Sequence, residues 1–178
     1  MRRREAVLLL GAGALQGCGY ALEGRGISVD PSIKKIGVPL FKDQTGKPGL
    51  DQKITEKVIE ELLRKGRFDV VESATGVDAV VEGTLLNYTS QAIGFNRGSE
   101  SGGNRSEASR YVALLTAKVR YAKTGATQPL WEADGFTARD EYDIGEDADS
   151  YFDREEQALD RIAVNFAKAV VSAMLEAF

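Results

Sequence analysis

The sequence predicts an α+β domain: a mixed, mainly antiparallel four- to five-stranded sheet with two helices packed on one face. Apolar residues recur every three or four positions in two separate stretches, residues 50–63 and 159–174, as an amphipathic helix requires. In residues 36–40, 79–88, 111–121 and 130–141 they alternate with period two, the signature of strands with one buried side. The last two of these runs are separated only by Lys123-Thr124-Gly125-Ala126-Thr127, a hairpin turn that makes them antiparallel neighbours. Two apolar helical stripes and one apolar sheet face bury one another most simply as a layer of helices on a layer of sheet.

In chain order, the first strand carries Ile36, Val38 and Leu40, alternating with Gly37 and Pro39. Pro39 cannot donate to a ladder and so predicts a place near an edge. Residues 43–48 are rich in turn formers, and Leu50, Ile54, Val58 and Leu62 then open the first helix, its stripe widened by Ile59 and Leu63. Glu60 with Arg64 and Glu61 with Lys65 are predicted i,i+4 pairs, and Gly66 supplies the stop. Residues 68–72 form a short strand. Residues 78–92 form a longer one, with Ala79, Val81, Gly83 and Leu85 on one face and Val80, Thr84, Leu86 and Tyr88 on the other. Residues 94–109, with much Gly, Ser, Asn and Arg, are expected to be a mobile loop. Tyr111, Ala113, Leu115, Ala117, Val119 and Tyr121 then face the core, leaving Thr116, Lys118 and Arg120 for solvent or a partner. The last strand carries Trp131 and Phe136. The final helix is expected to begin near Asp153 and to bury Leu159, Ile162, Phe166, Val170 and Met174, with alanines that let it lie close to the sheet.

The chain of 178 residues is 43% hydrophobic and 28% charged, the balance of one ordinary globular domain. It has no histidine and one cysteine, Cys18, which excludes serine–histidine triads, internal disulfides and zinc sites built from histidine or several thiolates. The net charge of −4 argues against nucleic acid as a general partner. Carboxylate chemistry is the exception that composition leaves open. Asp140, Glu141, Asp143, Glu146, Asp147, Asp149, Asp153, Glu155 and Glu156 crowd one region. A pair at a suitable distance could serve glycoside hydrolysis, and alternating acids could hold calcium. Counted from Asp147, however, Phe152 occupies the position where a calcium-binding loop needs glycine, and Ala158 the one where it needs glutamate. No metal ligand or cofactor is predicted. Acids around the start of a helix complement its dipole, which is the plainer account.

The first residues read as a lipoprotein signal. Arg2, Arg3 and Arg4 form a positive region, residues 6–14 an apolar one, and Leu15-Gln16-Gly17 a cleavage site before Cys18. The apolar run is too short to span a bilayer, which takes about 20 residues. The expected divisions are a cleaved signal over 1–17, a lipid-anchored linker over 18–31 and a single domain over 32–178. Cys18 is the expected lipidation site, and several acyl chains at about 0.8 kcal/mol per buried methylene make such an anchor lasting. Gly19, where lipoproteins kept at the inner membrane carry aspartate, implies the periplasmic side of the outer membrane by the sorting pattern of that class. Gly11, Gly13 and Gly17 imitate a dinucleotide-binding loop, but the third glycine comes one residue late and the segment is expected to be removed.

Cys18-Gly19-Tyr20-Ala21-Leu22, Gly24-Arg25-Gly26, the run from Ile33 through Lys34, Lys35, Ile36, Gly37, Val38, Pro39 and Leu40 to Phe41, Gln44-Thr45, Pro48-Gly49-Leu50, Ile54-Thr55 and Asp78-Ala79-Val80-Val81-Glu82-Gly83 together resemble the lipopolysaccharide-assembly lipoprotein family, LptE. The resemblance implies a non-catalytic protein that sits in or against the outer-membrane β-barrel LptD, supports its assembly and helps carry lipopolysaccharide to the cell surface. Lys118 and Arg120, with Arg97, Arg105 and Arg110 in or beside the adjoining loop, are the candidate contacts for its phosphates. A solvated strand face explains the same residues. Phe68-Asp69-Val70-Val71-Glu72 and Ala79-Val80-Val81-Glu82-Gly83 also resemble lipoproteins of the curli-secretion and penicillin-binding-protein-activator group, which would make the chain a secretion or regulatory module. A periplasmic carboxylate hydrolase is the third reading.

Overall fold

The computed structural model describes residues 30–97, 106–144 and 150–176. In order these form β1 (Lys35–Gly37), β2 (Lys42–Asp43), α1 (Leu50–Arg64), β3 (Asp69–Val71), β4 (Ala79–Arg97), β5 (Ser106–Lys123), β6 (Trp131–Asp143) and α2 (Ser150–Glu176). The sheet runs β3-β1-β4-β5-β6, with β2 also paired to β4. Pairing is parallel among β1, β2, β3 and β4, and antiparallel from β4 through β5 to β6. The architecture is the expected α+β, with a mixed open sheet. Both helices cover one face: α1 packs on α2, and α2 lies along β5 and β6. Strand β5 states the asymmetry most clearly. Ala113, Leu115, Ala117, Val119 and Tyr121 are fully buried, and the residues between them are not.

Strand β1 lies near an edge as expected, one strand in, between the edge strand β3 and β4. Pro39 is tolerated because it lies after the strand has ended. The chain leaves β4 after Gly37, which is in register with Val80, and rejoins it at Lys42, in register with Thr84. This interruption turns Leu40 out to solvent and Phe41 into the core. The Phe41 N–H donates to Thr55 Oγ1 at 3.0 Å, and the Thr55 hydroxyl donates to the Asp51 carbonyl one turn back in α1 at 2.7 Å. Helix α1 thus fixes the one residue that fills the gap over Gly83.

Two expectations fail because strand pairing overrides local composition. Residues 94–97 and 106–109 are not loop: β4 and β5 stay paired as far as Arg97 with Ser106, so only 98–105, outside the described residues, lies between them. A two-stranded ribbon needs no apolar face to keep its hydrogen bonds. Tyr88 lies on the helix side, opposite Leu115, because a register shift between Leu85 and Asn87 inverts the alternation. In α1, Glu61 pairs with Arg64 and more loosely with Lys65, while Glu60 turns back to Lys57.

The start of β4 is tied to β1 by Asp78, whose carboxylate accepts from the backbone N–H of Lys35 at 2.8 Å and of Lys34 at 2.9 Å. These bonds, Lys35 first, hold its pKa below the ordinary 3.8. Asp143, bonded by Arg110, is lowered too. A depressed carboxylate stabilises the fold above its unfolded pKa, and that contribution disappears as pH falls through the folded value. Thermal melts from neutral pH downward should therefore show stability falling below about pH 4. Asp78→Asn should melt lower at neutral pH and show a flatter acid limb.

Candidate ligand face of the sheet

The face without helices is built by the outward positions of β4, β5 and β6. Along β5 these are Arg110, Val112, Leu114, Thr116, Lys118 and Arg120. Register sets Glu82 and Thr84 of β4 beside Arg120 and Lys118, and Glu132 and Asp143 of β6 beside Arg120 and Arg110. Lys118 and Arg120 do share one face, but they and Arg110 each meet an acid. Lys118 Nζ lies 3.1 Å from Glu132 and 2.5 Å from Asp134. Arg120 is 3.7 Å from Glu82, and Arg110 donates to Asp143 at 2.7 Å. The Asp134 bond, then that of Glu132, raises the Lys118 pKa. Lys118, Arg120 and Arg110 are therefore each charge-matched, where the sequence suggested a basic surface. Arg97 belongs to β4 by register, whereas Arg105 and Cys18 lie outside the described residues.

Two further bases escaped the sequence reading. Lys42 is exposed on β2, beside Thr84, and Arg139 is exposed on β6 opposite Leu114. Among the described residues neither forms an ion pair. Arg139 was legible as an alternation partner in its strand. Lys42 was not, because its pairing to β4 is a non-local event in a turn-rich segment.

Asp140, Asp143, Glu155 and Glu156 among the crowded acids are partners for bases, whereas Glu146, Asp147 and Asp149 lie outside the described residues. Asp140 and Glu141 belong to β6 as expected, and the strand runs on to include Asp143. Asp140 bonds Arg161 of α2, Glu156 bonds Lys53, and the nearly buried Glu155 accepts from Lys47 and from the Tyr88 hydroxyl, both at 2.8 Å. Among the described residues no group of three acids could hold a metal ion, and no helix is long and apolar enough to cross a membrane.

The family model described as Lipopolysaccharide-assembly, LptE, matches residues 33–174, which is nearly all of the folded domain. The chain belongs to the LptE family. Solved structures similar to this LptE-family chain share its fold at low identity. A hypothetical protein from Chlamydia trachomatis superposes with a TM-score of 0.53 at 8% identity, over 81% of this chain and 96% of that one. A protein from Xanthomonas campestris gives 0.53 at 9%, over 81% and 85%. A minor lipoprotein from Acinetobacter baumannii gives 0.50 at 11%, over 80% and 93%. No curated protein matches the LptE-family chain by sequence.

Proposed function

We propose that this LptE-family chain is an outer-membrane lipoprotein, held on the periplasmic side through lipid on Cys18. It supports assembly of the LptD barrel, plugs it, and assists transport of lipopolysaccharide to the cell surface, catalysing no reaction. The family match over residues 33–174 carries this reading. The ordered signal before Cys18 supports the anchor. A single domain built on one open sheet is of a shape that the lumen of a large barrel can accept. Within that role Lys118 and Arg120, together with Arg97, Arg105 and Arg110, are the residues offered to lipopolysaccharide phosphates.

Depletion of the protein should remove lipopolysaccharide from the cell surface. Cys18→Ala should leave the domain folded but release it from membranes, and the wild-type chain recovered from membranes should begin at Cys18 with added acyl mass. Normal surface lipopolysaccharide after depletion would overturn the function, and a wild-type chain found unmodified in the periplasm would overturn the anchor.

A further inference from the structure

The interruption between β1 and β2 opens a cleft of about 330 Å³ on the helix-free face. Pro39, Leu40 and Lys42 line one wall, and Glu82, Lys118 and Arg120 the other. Its origin is covalent. Pro39 has no N–H to give, the chain lifts off β4 for the residues between Gly37 and Lys42, and Leu40 is left 55% exposed at the lip. In a protein of net charge −4, this lining gathers three cations against one carboxylate. Glu132 and Asp134, which hold Lys118, approach it from β6 and are not part of the lining. Lys42 has no such partner among the described residues, so its charge is uncommitted.

We infer that this cleft seats the phosphate of an amphiphile, with Lys42 as its first contact and the hydrocarbon lying on Leu40 and Pro39. A phosphate ester brings up to two negative charges and three acceptor oxygens to one point, which two ammonium groups and a guanidinium can share. As it enters, Lys118 exchanges its β6 carboxylates for phosphate oxygens, while Glu82 continues to orient Arg120. An apolar lip beside a cationic floor selects against a free anion, which gains nothing from Leu40. The lining has no aromatic ring on which a nucleobase could stack. Identifying the amphiphile as lipid A rests on the function proposed above. The cleft itself does not.

The test titrates the detergent-solubilised full chain with lipid A, with dephosphorylated lipid A and with inorganic phosphate. Lipid A should bind tightest. Lys42→Ala should weaken lipid A about fivefold and leave the dephosphorylated form unchanged, with the difference shrinking in high salt. Leu40→Ser should weaken both lipids alike and leave phosphate unchanged. Both substitutions are at exposed positions, and unchanged thermal melts will show that the domain is intact. Lipid A bound equally by wild type and both variants overturns the cleft, as does phosphate bound as tightly as lipid A. Wild-type chain that ignores lipid A yet co-purifies with a barrel overturns the cleft and leaves the proposed function standing. Lys42-dependent binding without any barrel does the reverse.

Discussion

Gly83→Ala should destabilise the domain by about 3 kcal/mol, at the upper end of what overpacking costs in a well-filled core. A Cβ at this position would lie 2.1 Å from both Cδ2 and Cε2 of Phe41 and 2.6 Å from its Cγ. Neither side can yield easily. Strand β4 is held by β2 on one side and β5 on the other, and Phe41 is 2% exposed with its N–H bonded to Thr55. The contact can be isolated by a double-mutant cycle. Phe41→Ala alone should cost about 3–5 kcal/mol, but in that background Gly83→Ala should be neutral or slightly stabilising, because alanine restricts the unfolded chain more than glycine does. Urea unfolding of the four proteins would decide it. An equal cost of Gly83→Ala in both backgrounds would mean that the ring does not lie on the strand.

Glu155→Ala should cost about 2 kcal/mol. Removing one partner of a buried ion pair typically costs more, but here the partner left behind, Lys47, has a side chain 31% exposed and can rehydrate. The larger part of the loss comes from the Tyr88 hydroxyl, which donates to Glu155 from a half-buried site. Burial first, and then the hydrogen bond to Glu155 and its charge, push the Tyr88 pKa well above the usual range, so this hydroxyl stays a donor at any working pH. Glu155→Gln keeps an acceptor for Tyr88 and removes the charge. It should cost less than half as much as alanine, and Tyr88→Phe should abolish the difference between the two. If glutamine and alanine are equally damaging, the network acts through the Lys47 ion pair and not through Tyr88.

Both of these sites show where the sequence was readable and where it was not. Strand β5 and the main stripe of helix α1 were legible, because a period of two from Ala113 to Tyr121 and a period of four at Leu50, Ile54, Val58 and Leu62 each match one buried face, but Leu63, expected to widen that stripe, is 52% exposed. The role of Gly83 was not legible. It reads as a small residue on an inward face, and only the non-local return of β2 to β4 brings Phe41 over it. Tyr88 was assigned to the wrong side because the register shift between Leu85 and Asn87 reverses the alternation of β4 until the next shift, after Ala92. The polar run after residue 94 imitates a loop because a polar two-stranded ribbon and a loop can have the same composition and differ only in backbone pairing. The charges around Lys118 and Arg120 were visible, but their neutralisation by Glu82, Glu132 and Asp134 depends on strand register, which alternation alone does not fix.

The central claim, an LptE-family protein working with an outer-membrane barrel, is tested most directly by its partners in the cell. Tagged at its C-terminus, expressed at native level and purified from detergent-solubilised membranes, the protein should bring down one large β-barrel in a near-equimolar complex. A preparation that yields only a ring of identical subunits, or the lipoprotein with no barrel of any kind, would contradict the account.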